Sequence, residues 1–117
     1  MRILIVDDHA DILLMLQHLF AKSEHEITLA QDSRNALTIV QHIEFDVLIV
    51  DLMMPQLSGP DLIRKARLAK PNLHIVAMTG GDPTKFDVIG PDGADVMLPK
   101  PFSRTALFEA LAKKADL

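Results

Sequence analysis

Apolar residues are concentrated in five short runs, each with the length of a β-strand. The runs are Ile3–Val6, Ile27–Ala30, Val47–Val50, Leu73–Met78 and Ala94–Leu98. Three of the five are almost continuously apolar, without the alternation expected of a half-exposed strand. Strands of this kind are buried on both faces, which is typical of a parallel sheet between two layers of helices.

Four further groups of apolar residues have the three- and four-residue spacing of one helix face. The groups are Ile12, Leu13, Leu16, Leu19 and Phe20; Ala36, Leu37, Val40 and Ile43; Leu62, Ile63, Ala66 and Ala69; and Leu107, Phe108 and Leu111. Either Asp32 or Ser33 is expected as the N-cap of the second helix. Pro60 and Ser103 are expected at the starts of the third and the last.

The stretch between the fourth and fifth runs carries the weakest helix signal. Asp82-Pro83 can start a helix, but Gly90-Pro91 must end it, which leaves about two turns. With this short fourth helix the chain has five helices. Strands and helices then alternate throughout, which predicts one α/β domain with right-handed crossovers and helices on both faces of the sheet.

Composition agrees with one globular domain and excludes several kinds of site. Of 117 residues, 49% are hydrophobic and 24% charged, and the net charge of −4 argues against direct contact with nucleic acid. The absence of cysteine excludes disulfides, thiolate metal sites and thiol nucleophiles. No apolar run reaches the about 18 residues of a membrane span, so we expect a soluble cytoplasmic protein.

Acidic residues follow two of the predicted strands. Asp7 and Asp8 come directly after the first, and Asp51 comes directly after the third. Open α/β sheets bind ligands beyond the carboxyl ends of their strands, and in the strand order 2-1-3-4-5 the first and third strands are neighbours there. Three crowded carboxylates repel one another, and a divalent cation such as Mg²⁺, which prefers oxygen ligands, removes that conflict.

A hydroxyl group follows one further predicted strand, and an ammonium group follows another. Thr79 comes after the fourth strand and Lys100 after the fifth. Beside a metal ion these groups suit a phosphoryl group, with Asp51 as the nucleophile. Taken singly, Asp8 could cap a helix, Thr79 could serve a turn and Lys100 could be a surface charge. Their joint placement at four strand ends favours a site.

The same residues carry a resemblance to a known family. The stretches ILIVDDHADI, DVLIVDLMMPQLSG, IVAMTGG and GADVMLPKPF resemble the receiver domain of two-component response regulators, over essentially all of residues 1–117. The resemblance implies a flavodoxin-like, doubly wound sheet of five parallel strands in the order 2-1-3-4-5, with five helices. It also implies Mg²⁺ as cofactor and a sensor histidine kinase or histidine phosphotransfer protein as partner.

The resemblance further implies a role for each site residue. Asp8 and Asp51 would bind the metal directly, Asp7 through water, and Met53 through its backbone carbonyl. The phosphoacceptor would be Asp51, in a signalling domain that catalyses its own phosphotransfer and is not otherwise an enzyme. Thr79 would be the switch hydroxyl. Lys100 would pair with phosphate and precede a cis peptide bond to Pro101.

The chain departs from the family pattern in its switch region. Met97 stands where the family commonly has a switch tyrosine or phenylalanine, so coupling through an aromatic ring is in doubt. Met53 and Gly81 stand where side chains influence hydrolysis, and neither side chain can orient a water, so we expect slow dephosphorylation. Whether the domain acts alone, is linked to an output domain or dimerises on phosphorylation stays open, as do its cognate kinase and target.

Other functions remain as alternatives. A receiver-like module could act through protein contacts without phosphorylation. A metal-dependent phosphohydrolase usually needs a second acid beside the nucleophile, and Leu52 and Met53 stand there instead. A flavin-binding protein would lack Trp and Tyr to flank the ring. The five histidines form no metal-binding pair, and His9 is expected at the surface or at the rim of the pocket.

Overall fold

A parallel sheet of five strands lies at the centre of the protein. The computed structural model describes residues 1–112, apart from the side chain of Pro83. The strands are β1 (Arg2–Val6), β2 (Glu26–Ala30), β3 (Val47–Asp51), β4 (His74–Thr79) and β5 (Val96–Pro99). Their order is β2-β1-β3-β4-β5 with every pair parallel, which confirms the predicted fold class and strand order.

Four α-helices cover the two faces of this sheet. They are α1 (Ala10–Phe20), α2 (Ser33–His42), α3 (Gly59–Ala69) and α4 (Arg104–Ala112). Along β1, Leu4 packs in the core cluster that contains α2 and α3, whereas Ile5 packs in the cluster that contains α1 and α4. Because successive strand residues point to opposite faces, two covered faces require a continuous apolar run.

Side chains that cap helix starts lie close to the predicted positions. Asp32 is the N-cap of α2 and accepts hydrogen bonds from the backbone of Arg34 and Asn35, which decides between the two predicted caps. Ser58 caps α3 by accepting a bond from the Asp61 N–H. Ser103 accepts one from the Ala106 N–H at the start of α4. Within the described part of the chain, no helix has the length and apolarity that a membrane crossing needs.

The predicted fourth helix is wrong. Between β4 and β5 the structure has only a single 3₁₀ turn, Pro83–Lys85, so the described residues contain four α-helices and not five. Asp82 Oδ1 accepts bonds from both the N–H and the hydroxyl of Thr84, at 2.9 and 2.7 Å, and this local turn competes with a helix start. Further along, Gly90 has a φ of 151°, which lies outside helical geometry.

The second half of this connection contains a turn, closed by a hydrogen bond from the Gly93 N–H to the Gly90 carbonyl, and is tied to the core. Ile89 and Ala94 form an isolated parallel bridge, and the Ala94 N–H donates to the Val88 carbonyl at 2.6 Å. Val88 and Ala94 are buried in the cluster that contains α2 and α3. We call residues 80–95 the β4–β5 loop; it occupies the position of the predicted helix beside the candidate site.

Candidate functional site

The carboxyl ends of β1 and β3 bring three carboxylates together. Asp51 is the last residue of β3, Asp7 and Asp8 follow β1, and these two strands pair in parallel register. One ligand atom from each of Asp7, Asp8, His9 and Asp51 can be chosen so that all four lie within 4.8 Å of one another. The acidic residues predicted from the sequence therefore share one site.

Asp7 is fully buried, and both of its carboxylate oxygens have hydrogen-bond partners. Oδ1 accepts from the backbone N–H of His9 at 2.9 Å and lies 3.0 Å from His9 Nδ1. Oδ2 accepts from Lys100 Nζ at 3.1 Å. Asp7 therefore orients the His9 ring and the Lys100 ammonium group at the base of the site.

Asp8 differs, because its Oδ1 is buried and accepts no hydrogen bond from any residue in the described part of the chain. An unsatisfied buried carboxylate oxygen is costly, since it has lost water without gaining a donor. A hard divalent cation bound by carboxylate oxygens satisfies such an atom. The donor set of Asp7, Asp8 and Asp51 thus fits Mg²⁺.

Asp51 is only 2% exposed and is held from two sides. Its Oδ1 accepts from the Met53 N–H at 3.1 Å, and its Oδ2 lies 3.5 Å from Lys100 Nζ. Burial raises the pKa of Asp51, and the negative charge of Asp7 adds to this, while the Met53 N–H and Lys100 act in the opposite direction. This carboxylate is oriented, and it lies in a site with more negative than positive charge.

Thr79 and Lys100 reach the site from the next two strands. Thr79 ends β4, is fully buried and accepts a hydrogen bond from the Gly81 N–H at 3.4 Å. Lys100 directly follows β5, and its backbone N–H donates to the Thr79 carbonyl at 2.6 Å. The peptide bond from Lys100 to Pro101 is cis, as the family resemblance implies.

An open cavity of about 440 Å³ lies beside Asp51 and leads to solvent. It is lined by His9, Asp51, Met53, Gly80, Gly81, Asp82, Lys85, Phe86 and Lys100. Met53 lies at the edge of this cavity and is 62% exposed. The β4–β5 loop forms one wall of this cavity.

Sequence reasoning underestimated His9. It lies where the sequence placed it, at the start of α1, but its Nδ1 points at the acids, 3.0 Å from Asp7 Oδ1 and 3.2 Å from Asp8 Oδ1. The hydrogen bond to Asp7 and the charge of Asp8 hold the pKa of His9 above its ordinary value. The only signal for His9 in the sequence was its position directly after Asp7 and Asp8, and this position does not reveal the direction in which the ring points.

Gly59, the first residue of α3, packs against the backbone that carries Asp51. A Cβ atom there would lie 2.4 Å from both the Asp51 carbonyl oxygen and Leu52 Cα. Because neither backbone atom can rotate away, Gly59→Ala is expected to lower the free energy of unfolding by about 1–3 kcal/mol. Urea denaturation measures the change.

Gly81→Ala is the matched control, since a Cβ at Gly81 would meet no atom of the described residues within 4 Å. It is expected to leave the free energy of unfolding within about 0.5 kcal/mol of the wild type. Equal stabilities for the two alanine variants would show that α3 does not need the close approach at Gly59.

Comparison with known proteins places these features in a family. The sequence profile of the response regulator receiver domain matches residues 3–112. Response regulator MprA of Mycolicibacterium vanbaalenii is 38% identical over 117 residues, which are 99% of this chain and 49% of that protein. The protein of the same name from Mycobacterium leprae is 39% identical over 114 residues, 97% of this chain and 49% of that protein. The chain spans about half the length of the curated relatives it matches.

Solved structures show the same architecture. A response regulator receiver domain protein from Clostridium thermocellum superposes with a TM-score of 0.86 at 31% identity, covering 95% of this chain and 90% of that one. The chemotaxis protein CheY4 of Vibrio cholerae superposes with a TM-score of 0.84 at 29% identity, covering 97% of each chain.

Proposed function

The chain belongs to the response regulator receiver domain family, and on that premise we propose that Asp51 is the phosphoacceptor of a two-component signalling switch. The observation that carries the proposal is the position of Lys100 Nζ, 3.1 Å from Asp7 Oδ2 and 3.5 Å from Asp51 Oδ2. A single ammonium group thus faces both the acid doublet and the acceptor. This arrangement supports phosphoryl transfer to Asp51, because the ammonium group can neutralise charge on a transferred phosphoryl group.

The reaction forms an acyl phosphate on Asp51. A carboxylate oxygen attacks the phosphorus of a phosphohistidine, the phosphorus–nitrogen bond breaks, and the histidine leaves with its electron pair and takes up a proton. The Met53 N–H holds Asp51 Oδ1, so the carboxylate is oriented before the donor arrives. Mg²⁺ held by Asp8, Asp51, the Met53 carbonyl and, through water, Asp7 would supply positive charge for the phosphoryl oxygens.

Lys100 and Thr79 contribute to stabilisation of the phosphorylated state. The Lys100 ammonium, already beside Asp51, neutralises charge on the transferred group. Thr79 donates its hydroxyl hydrogen to a phosphoryl oxygen, and its backbone is bonded to Lys100 on one side and leads into the β4–β5 loop on the other. Met97 is partly buried against the core and has no aromatic ring that could move on phosphorylation. The β4–β5 loop is therefore the element that changes conformation when Asp51 is phosphorylated.

The switch works through protein partners. The donor is a sensor histidine kinase or a histidine phosphotransfer protein, and the recipient is a downstream protein or a covalently linked output domain, in the cytoplasm. Support for a linked domain comes from the relatives, which are about twice as long as this chain. A receiver-like module that acts without phosphorylation is the alternative, and the complete set of acids, Thr79 and Lys100 argues against it.

Phosphoryl uptake tests the proposal directly. Incubation with acetyl phosphate and Mg²⁺ is expected to add the mass of one phosphoryl group, which peptide mapping places on Asp51, and chelation of the metal is expected to prevent it. The product is expected to persist, because neither Met53 nor Gly81 can orient a water for hydrolysis. If the mass of the protein stays unchanged after incubation with acetyl phosphate and Mg²⁺, Asp51 is not a phosphoacceptor. If the phosphorylated protein has a half-life of seconds, the expectation of slow dephosphorylation is wrong.

A further inference from the structure

His9 turns an imidazole nitrogen toward the acidic doublet although its side chain is 62% exposed. It is the N-cap residue of α1, but its side chain makes no capping hydrogen bond. Nδ1 lies instead 3.0 Å from Asp7 Oδ1 and 3.2 Å from Asp8 Oδ1. The ring is therefore directed at the candidate cation site and not at the helix that it begins.

Hydrogen bonding accounts for only one of these two contacts. The Nδ1–H group donates to Asp7 Oδ1 at 3.0 Å, although that oxygen already accepts the backbone N–H of His9 at 2.9 Å. Among the described residues, Asp8 Oδ1 has no hydrogen-bond donor. A cation that displaces the Nδ1 proton would find the freed nitrogen lone pair beside this unsatisfied oxygen, and both residues belong to the four-residue group that could hold a metal ion.

The geometry points to His9 as an additional ligand of the cation, through Nδ1, so that the site accepts imidazole-binding transition-metal dications as well as Mg²⁺. The inference rests on the proposed function, because it concerns the same cation site. Imidazole nitrogen suits Zn²⁺ and Ni²⁺, whereas Mg²⁺ selects oxygen ligands. A donor set of three carboxylates and one imidazole therefore favours a different class of cation from the three carboxylates alone.

The rival explanation is an ion pair without metal contact. In that case the imidazolium of His9 competes with any cation for Asp7 and Asp8, and its removal improves the binding of every dication. As a ligand, His9 contributes to the binding of Zn²⁺ and little to that of Mg²⁺. The two explanations therefore predict changes of opposite sign in Zn²⁺ affinity.

Calorimetric titration of the whole chain with Zn²⁺ and, separately, Mg²⁺ distinguishes them. His9→Gln is expected to raise the Kd for Zn²⁺ tenfold or more while the Kd for Mg²⁺ changes less than threefold, so the ratio of the two constants changes. His18→Gln is the matched control, because His18 is exposed near the other end of α1. That control is expected to leave both constants unchanged.

Nitrogen-15 NMR of the histidine rings gives a second readout that does not depend on phosphorylation. Adding Zn²⁺ to the wild type is expected to shift the His9 Nδ1 resonance to the position of a metal-bound nitrogen. An unshifted His9 Nδ1, or parallel changes in the Zn²⁺ and Mg²⁺ constants of His9→Gln, overturns the inference. The proposed function fails separately, if Asp51 takes up no phosphoryl group in Mg²⁺.

Discussion

Asp51→Asn is expected to be more stable than the wild type in metal-free buffer at neutral pH, by about 1–3 kcal/mol in free energy of unfolding. Asp51 is 2% exposed and lies in one site with Asp7 and Asp8. Asparagine has the same shape, keeps an oxygen for the Met53 N–H and removes one of three crowded negative charges. Urea denaturation of both proteins in the presence of a chelator measures the difference.

The pH dependence of this difference follows from the direction of the pKa shift. Burial raises the pKa of Asp51 above its ordinary value of 3.8, so the folded protein disfavours the ionised form. Stability is then lost as the pH rises from that value through the raised pKa, and the asparagine variant does not suffer this loss. The advantage of Asp51→Asn is expected to grow from acidic to neutral pH.

Two additions, Mg²⁺ and a phosphoryl donor, provide the controls for the Asp51→Asn experiment. Mg²⁺ is expected to bind the folded wild type in preference to the unfolded chain, so its addition is expected to narrow the stability difference between the two proteins. The variant is also expected to take up no phosphoryl group from acetyl phosphate. A variant less stable than the wild type without metal would show that Lys100 more than compensates the buried charge.

Arg67→Met is expected to lower the free energy of unfolding by about 1–3 kcal/mol, the range for leaving buried polar groups without a hydrogen-bond donor. Arg67 Nη2 lies 2.9 Å from Asp95 Oδ2, with side-chain exposures of 10% and 15%. Its Nε and Nη2 also donate to the Gly93 carbonyl, at 3.1 and 2.9 Å. Methionine fills similar space but leaves Asp95 without its cationic partner.

Arg64→Met, one turn earlier on α3, is the matched control. Arg64 pairs with Asp61 at the surface, where an ion pair contributes about 0–1 kcal/mol. Chemical denaturation of both variants, with hydrogen exchange of the β4–β5 loop, tests the assignment. Similar losses of stability in the two methionine variants, or an unchanged exchange rate at Gly93 in Arg67→Met, would show that Arg67 does not anchor the loop.

The Arg67 contacts explain how the β4–β5 loop holds its shape without the predicted helix. Asp95 also accepts the Ile75 N–H at 2.7 Å, so the ion pair joins α3, the loop and the start of β4. At Gly93 a Cβ would lie 2.1 Å from the Val88 carbonyl oxygen, which leaves no room for a side chain. The second half of the β4–β5 loop is therefore held in place by packing and hydrogen bonds, whereas the first half borders the candidate site.

The amino-acid sequence by itself determined the parallel sheet and the helices on both of its faces, whereas the strand order came from the family resemblance. Burial on two faces demands continuous apolar strands such as Val47–Asp51, and each covering helix needs one apolar face. The sequence also predicted that the acids, Thr79 and Lys100 lie together, because parallel strands bring their carboxyl ends to the same edge of the sheet. These features follow from periodicity and from position relative to a strand.

Only the tertiary structure decided which partner each polar side chain found. Arg67 and Asp95 are 28 residues apart, and Lys100 and Asp7 are 93 apart. Neither pairing has a local pattern, since charged side chains select partners by distance and burial after the chain has packed. His9 likewise turned toward the acids although its neighbours in sequence allowed it to face solvent. Asp82 instead closed a short local turn with Thr84 and did not start a helix.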